Sequence, residues 1–228
     1  MGNVIILPDT TKNPITKIGQ MAGVCWGADI SDEKKNYKRG WDCIESGHGR
    51  TLEFVNVEML LDGQSAKFMR EWYTHIGCLP TRLQASTRYI EYDNFKYVTP
   101  HTINRENQAK ELFDNCMANI RDTYSKLRDL GIPQEDASYL LPFGMESKMV
   151  DKRNLRNLID MSRNRQCVRA LWEYREGFDK ICEGLTNYSD EWATIVESQF
   201  YPKCVGLGYC PERHGCGKYP SKNEAMKK

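Results

Sequence analysis

The sequence predicts a helix-rich α+β fold, and two observations support this class. Apolar residues with the three- to four-residue spacing of helices cover more of the 228 residues than strand-like patterns do. The strand-like segments do not alternate regularly with helices, as they would in a doubly wound sheet. Because a chain of this length can bury a sizeable core, we predict one domain over residues 1–200 and a Cys/Gly/Pro-rich C-terminal tail over residues 201–228.

The first quarter of the chain contains two predicted strands and two predicted short helices. The apolar run "VIILP" at residues 4–8 ends in proline and predicts a strand. Short helices are predicted at "QMAGVCWGADI" and at "KNYKRGWDCIESGHGR", the second ending at Gly47. Apolar and polar residues then alternate in "VNVEMLL" at residues 55–61, which is typical of a strand with one buried face. We expect Asp62 and Gly63 to turn the chain after it.

Helical spacing dominates the rest of the chain. Phe68, Trp72 and Ile76 recur every fourth residue and predict a helix that ends at the break "GCLP", residues 77–80. A longer helix is predicted between residues 103 and 131, with Gly131 as its stop signal. The same spacing predicts a second long helix over residues 151–184.

The charge balance excludes several classes of partner. Lys and Arg total 32 and Asp and Glu total 31, a formal net charge of +1, so the whole molecule has no field that would recruit nucleic acid or an anionic membrane. There is no run of about 18 apolar residues that could span a bilayer. We therefore expect a cytoplasmic protein in which any anion site is local.

The tail contains four soft ligands within thirteen residues, Cys204, Cys210, His214 and Cys216. They could hold zinc, although the C-x5-C-x3-H-x-C spacing lacks the paired cysteines of common zinc sites. The alternative is a Gly/Pro-rich segment pinned by small buried thiols. We favour the second interpretation and predict no metal site.

Two polar segments are candidates for a ligand site. The stretch "LQASTRY", residues 83–89, has two hydroxyls at Ser86 and Thr87 beside Arg88, and such donors in a turn can cradle a phosphate. In "NLRNLIDMSRNRQCVRALWEYR", Arg165 and Arg169 lie one helical turn apart. An ordinary exposed turn and a solvated basic helix face are the alternatives. No P-loop and no G-x-G-x-x-G motif is present.

Four blocks of the sequence resemble the flavin-dependent thymidylate synthases, in order, over roughly residues 15–185. The signature of that family is R-H-R, a short spacer and S-x-N-E-x-S-x-R-Y, followed later by N-x-R-S-L-x-N-F-x-x-L-R and A-Q-x-E-I-R. The corresponding blocks here are "MAGVCWGADISDEKKNYK", "SGHGRTLEF", "THIGCLPTRLQASTRYIEYDNFKYVTP" and "YLLPFGMESKMVDKRNLRNLIDMSRNRQCVRALWEYR".

The resemblance implies a helix-rich domain around a mostly antiparallel sheet, and an enzyme that methylates dUMP at C5 to give dTMP. Methylenetetrahydrofolate would donate the carbon, reduced FAD the hydride, and NADPH would reduce the flavin. Members of the family are homotetramers whose FAD and dUMP sites are built where subunits meet. No nucleic acid or membrane partner is implied.

Residue by residue, the resemblance assigns Arg165 to catalysis, as a fixed cation against the uracil ring. The implied substrate-binding residues are Gln84, Ala85, Ser86, Thr87, Arg88 and Arg165. The implied FAD-binding residues are Thr74, His75, Ile76, Gln84, Asn154, Arg156 and Asp160.

The chain departs from the family pattern at several charged positions. The R-H-R triplet is Thr74-His75-Ile76, the N-E pair is Leu83-Gln84, and a histidine and an arginine are replaced by Phe54 and Ser138. Nearby arginines that could compensate are Arg70, Arg82 and Arg169. These changes leave two alternatives open: a same-fold flavoenzyme that modifies a related pyrimidine nucleotide, for example by hydroxymethyl transfer, and a non-catalytic nucleotide-binding protein with a zinc-binding tail.

Overall fold

A four-stranded antiparallel sheet forms the centre of this computed structural model, which describes residues 2–77 and 79–227. The strands are β1 (Asn3–Ile6), β2 (Asn56–Ser65), β3 (Thr81–Gln84) and β4 (Glu146–Asn154), in the order β1-β2-β4-β3. The longer helices are α1 (Pro14–Cys25), α2 (Glu33–Glu45), α3 (Ala66–Tyr73), α5 (Asn107–Asp129), α7 (Leu155–Arg165), α8 (Trp172–Tyr188) and α9 (Asp190–Gln199). The short helices are α4 (His101–Asn104), α6 (Gln134–Ala137), α10 (Lys203–Leu207) and α11 (Lys222–Ala225). The predicted α+β class is confirmed.

The hydrophobic residues form two clusters. In the larger one, the buried face of β2 packs with β4 and with side chains from α1, α3, α7, α8 and α9. The smaller one lies under α5 and includes Tyr92, Phe95, Met117 and Tyr124. No helix in the described part of the chain is both long and apolar enough to cross a membrane.

Strand β2 follows the predicted alternation, and the buried Val57, Met59 and Leu61 confirm it. The turn predicted at Asp62 and Gly63 is wrong, because β2 continues to Ser65 through a register shift opposite β4. Gly63 accommodates this irregularity with a φ of +77°.

The long helix predicted over residues 151–184 is wrong. Residues up to Asn154 belong to β4, α7 then runs to Arg165, and α8 begins only at Trp172. The strand was missed because two of its inward positions hold Asp151 and Arg153, both fully or almost fully buried, instead of apolar residues. These two side chains form an ion pair, so the period of two is present in burial but hidden in hydropathy.

Two other helix boundaries differ from the sequence predictions. Helix α1 begins at Pro14, earlier than the predicted start at residue 20. Helix α3 ends at Tyr73, so Ile76 lies beyond it and is 67% exposed instead of continuing the buried stripe. The predicted break over residues 77–80 includes Cys78, which lies outside the described residues.

Candidate functional site

Arg165 lies at the C-terminal end of α7, where it joins residues from α3 and α8. Its Nε donates to His75 Nε2 at 2.7 Å, and its two terminal nitrogens donate to Glu71 Oε2 at 3.1 Å and Thr74 Oγ1 at 3.2 Å. The guanidinium also lies 4.7 Å from the centre of the Tyr174 ring. We call these five residues the Arg165 cluster. Because the Arg165 side chain is only 19% exposed, it is a held cation and not part of a solvated basic face.

His75 is neutral in this cluster. Burial, together with the charges of Arg165 and Arg153, lowers the pKa of His75 from 6.5 to about 4. A neutral ring can accept a hydrogen bond from Arg165 at Nε2 while its own proton is on Nδ1. His75 therefore orients Arg165 as a hydrogen-bond acceptor and adds no second positive charge to the cluster.

Replacing His75 with glutamine is expected to reduce the acid sensitivity of the fold. The folded-state pKa of about 4 lies below the ordinary 6.5, so the unfolded chain takes up a proton first as the pH falls below 6.5. The full shift corresponds to about 2 kcal/mol between pH 7.5 and pH 5, and solvent screening of the partly exposed ring reduces this. Wild-type protein should then lose about 1 kcal/mol more unfolding free energy over this range than His75→Gln, in which the amide oxygen can still accept. Urea titrations at both pH values measure this, and equal losses would contradict it.

A buried polar network contacts the Arg165 cluster through Trp72, which stacks on Tyr174. Arg153 forms two hydrogen bonds with Asp151, at 2.5 and 2.6 Å, and another with Asn157 Oδ1 at 2.6 Å. Trp72 Nε1 donates to Asp151 Oδ2 at 2.8 Å, and the Trp72 ring lies between Arg153 and Tyr174. The sequence analysis did not identify these residues, and the one available signal was the period of two hidden in "ESKMVDKRN".

The predicted phosphate turn follows β3. Ala85 N–H donates to the carbonyl of Lys148 at 2.8 Å, and Ser86 Oγ accepts from Arg88 N–H at 3.1 Å. Arg88 extends to Glu135 at 2.9 Å, an exposed ion pair that contributes little stability. The guanidinium is therefore accessible to a ligand. Ser138, at the position where the family has an arginine, lies three residues beyond Glu135 and donates to its carbonyl.

The turn and the Arg165 cluster lie at opposite ends of β3. Arg82, near the start of β3, pairs with Asp151 in register and donates to the Tyr73 carbonyl at 3.1 Å, next to the cluster. Residues 85–88 follow the other end, and Ala85 lies roughly 10 Å beyond Arg82 along the strand direction. Ala85 lines a cavity of about 680 Å³, and Arg165 lines a different one of about 260 Å³.

Two of the predicted FAD-binding residues, Asn154 and Arg156, lie at the start of α7. The Gly77 carbonyl accepts from Asn157 Nδ2 at 2.7 Å, so the backbone just after Ile76 contacts the first turn of this helix. Asn154 is its N-cap, and its Oδ1 accepts from Asn157 N–H at 3.0 Å, which fixes this side chain at the start of the helix.

The other predicted cofactor residues are at the surface. Arg156 pairs with Glu53 at 2.7 Å and remains partly exposed. Asp160 is exposed on α7, and the structure places it apart from the Arg165 hydrogen bonds. Gln84 lies at the far end of β3, where it donates to Ser147 Oγ at 3.2 Å. The hydrogen bonds and ion pairs thus connect His75 with Arg165, Arg156 with Glu53, and Gln84 with Ser147 near the turn.

The compensating arginines have partners of their own. Arg82 stacks on Tyr73 at 4.3 Å, Arg70 lies 5.7 Å from the Phe143 ring, and Arg169 pairs with Glu212 at 3.1 Å. In the tail, no group of three or more His, Cys, Asp or Glu side chains among the described residues is arranged to hold a metal ion. The zinc interpretation of the tail therefore gains no support.

Comparison with known proteins shows a consistent set of relatives. A family model described as thymidylate synthase complementing protein matches residues 6–188. The flavin-dependent thymidylate synthase of Nitratidesulfovibrio vulgaris is 30% identical over 208 residues, covering 86% of this chain and 82% of that protein. The enzymes of the same name from Pyrococcus furiosus and Pyrococcus abyssi are 30% and 32% identical, covering 92% and 75% of this chain and 89% and 73% of their own lengths.

Proposed function

This chain belongs to the flavin-dependent thymidylate synthase family, and we propose that it converts dUMP to dTMP with methylenetetrahydrofolate as carbon donor and FAD as flavin. We include NADPH as the source of the reducing electrons. The observation that carries the proposal is the position of Arg165, the residue that the family resemblance assigns to the uracil ring. It is a partly buried cation fixed by three acceptors and one aromatic ring.

A fixed guanidinium can stabilise the negative charge that develops on the uracil ring during the reaction. Carbon C5 of uracil becomes nucleophilic as negative charge accumulates on N3 and O4 of the ring, and a preorganised cation stabilises that charge without having to reorient. Glu71, Thr74 and neutral His75 hold the arginine in place. Among the described residues, Arg165 is the only cation that forms a hydrogen bond or ion pair with these three side chains.

The phosphate of the substrate is assigned to Ser86, Thr87 and Arg88. The hydrogen bond from Arg88 N–H to Ser86 Oγ tightens the turn, and the Arg88 side chain is exposed. Gln84 and Ala85 complete the predicted substrate-binding segment at the end of β3. An arginine and hydroxyl donors converging on one dianion provide charge-assisted hydrogen bonds, which are the strong ones.

The site is proposed to form across a subunit interface of a homotetramer. Its two halves lie at opposite ends of β3 within one chain, and large apolar side chains around the turn and α5 are mostly exposed. These side chains are Leu79, Leu83, Tyr89, Leu112, Tyr139 and Phe143. Exposed apolar surface of this extent is typical of an interaction surface.

The residues at the start of α7 fit a flavin. Ile76 is an exposed apolar side chain just before Gly77, which contacts the first turn of α7, and Arg156 is a partly exposed cation in that turn; they suit the flat ring and the pyrophosphate of FAD. His75, Thr74, Asn154, Asp160 and Gln84 remain the other proposed contacts. When bound, the flavin supplies the hydride that completes the transferred methyl group.

Purified protein is expected to be yellow and to release tritium from [5-³H]dUMP when given NADPH and methylenetetrahydrofolate.

Arg88→Gln should raise the KM for dUMP by roughly ten- to a hundredfold, since it removes charged hydrogen bonds to the phosphate. Mass analysis of the product separates methyl from hydroxymethyl transfer, because the two products differ by one oxygen. A colourless preparation that binds no added FAD would contradict the proposal.

A further inference from the structure

A cavity of about 260 Å³ separates the end of α7 and the following loop from the C-terminal segment. We call it the cationic cavity. Its charged lining residues are Arg163, Arg165, Arg169, Lys203 and Glu212. One wall therefore comes from residues 163–170, within the family match, and the other from residues 202–212, beyond its end at residue 188.

The positive charges of this cavity exceed the negative ones. Arg165 is paired with Glu71, and Arg169 is paired with Glu212. Arg163 has no carboxylate within ion-pair distance among the described residues. It lies 3.5 Å above the Tyr201 ring and donates only to the Tyr201 carbonyl, at 3.4 Å. Lys203 is exposed and makes no side-chain hydrogen bond or ion pair with any residue that the structure describes.

A partly buried guanidinium without an ion-pair partner distinguishes this cavity from ordinary surface charge. Burial lowers the pKa of Arg163, and Tyr201 and the more distant Asp160 offset this only in part. An anion entering the cavity would offset the remaining effect of burial. It would also meet Lys203 on the opposite wall, so that two cations from two segments face one ligand group.

We propose that the cationic cavity binds the multiply charged anionic end of a second ligand, beside the pyrimidine site that Arg165 defines. Two co-substrates in the proposed function carry such a group: the 2′-phosphate of the reductant and the glutamate carboxylates of the folate. Naming the reductant or the folate as the ligand rests on the proposed function. The anion site itself rests only on the charged residues that line the cavity. The C-terminal segment thereby becomes part of the ligand-binding surface.

The test is direct binding of two probes, 2′,5′-ADP and tri-γ-glutamate, by isothermal titration to the full-length protein with and without excess dUMP. We expect at least one probe to bind with a Kd below about 1 mM and to bind less tightly as salt is raised. Lys203→Glu should weaken that binding at least about tenfold. Lys218→Glu is the matched control, an exposed lysine of the same segment outside the cavity lining, and should change it less than about twofold.

The outcomes separate the ligand sources and the two proposals. Binding of 2′,5′-ADP assigns the cavity to the reductant, binding of tri-γ-glutamate assigns it to the folate, and binding of both supports the anion site. If neither probe binds, or if Lys203→Glu and Lys218→Glu weaken binding equally, the anion site is overturned. Because no turnover is measured, a protein that binds a probe and releases no tritium from dUMP contradicts the synthase function and leaves the anion site standing.

Discussion

Arg165→Ala is expected to lower kcat/KM for dUMP by about 10²- to 10³-fold, which is the usual loss when one preorganised charge donor is removed from an active site. The side chain is held by Glu71, Thr74 and His75, so the guanidinium is already oriented before the substrate binds. Arg165→Lys should recover only part of the loss, because an ammonium cannot make the same three directed hydrogen bonds. Tritium release from dUMP under single-turnover conditions measures the effect on chemistry.

The matched control is Arg105→Ala, which removes an exposed arginine that lies outside the cluster and outside every proposed binding segment. We expect it to leave kcat/KM within about twofold and the melting temperature unchanged. A loss in Arg165→Ala that is no greater than in Arg105→Ala would remove Arg165 from the chemistry. A melting temperature for Arg165→Ala close to wild type would show that any loss of activity is not caused by unfolding.

Asp151→Ala is expected to destabilise the fold by about 3–5 kcal/mol, the largest stability effect that we predict. Arg153 is almost completely buried, and removing its partner leaves the guanidinium without a counterion in the core. Trp72 Nε1 loses its acceptor at the same time. Urea unfolding followed by tryptophan fluorescence measures the change, since Trp72 contacts the altered group.

A partly exposed ion pair between β4 and β2 provides the control for this effect. Lys152 pairs with Glu58 at 2.6 Å, and its side chain is half exposed, so Lys152→Ala should change stability by less than about 1 kcal/mol. Replacing both members of the buried pair, as Asp151→Leu with Arg153→Met, should recover much of the stability lost in Asp151→Ala. If Asp151→Ala costs no more than Lys152→Ala, the buried pair does not support the site as described.

The sequence predicted the elements whose patterns are local. The alternation in β2 and the spacing in α5 are visible in hydropathy because apolar side chains fill their inward positions. In contrast, β4 was not predicted and its residues 151–154 were assigned to a helix, because the inward Asp151 and Arg153 satisfy each other. Such compensation is a tertiary property, which a one-dimensional hydropathy pattern does not contain.

The candidate site was predictable as separate parts. The family resemblance singled out His75 and Arg165, but their hydrogen bond joins residues 90 positions apart. Neither segment alone contains a pattern that predicts this contact. The neutral state of His75 also depends on burial and on two arginines from other elements. The cationic cavity was missed because its second wall lies in the tail, which the sequence analysis considered only for zinc.

The central claim is that Arg165 of one subunit and the turn of another complete one pyrimidine site. A subunit-mixing assay tests it: an Arg165→Ala variant and a Ser86→Ala, Arg88→Ala variant, each nearly inactive, are unfolded together, refolded and assayed for tritium release. Mixed pairs then contain one intact site, so activity should return to about one quarter of wild type. If both elements acted within one subunit, no intact site could form. Activity that stays at the level of the separate variants would contradict the account.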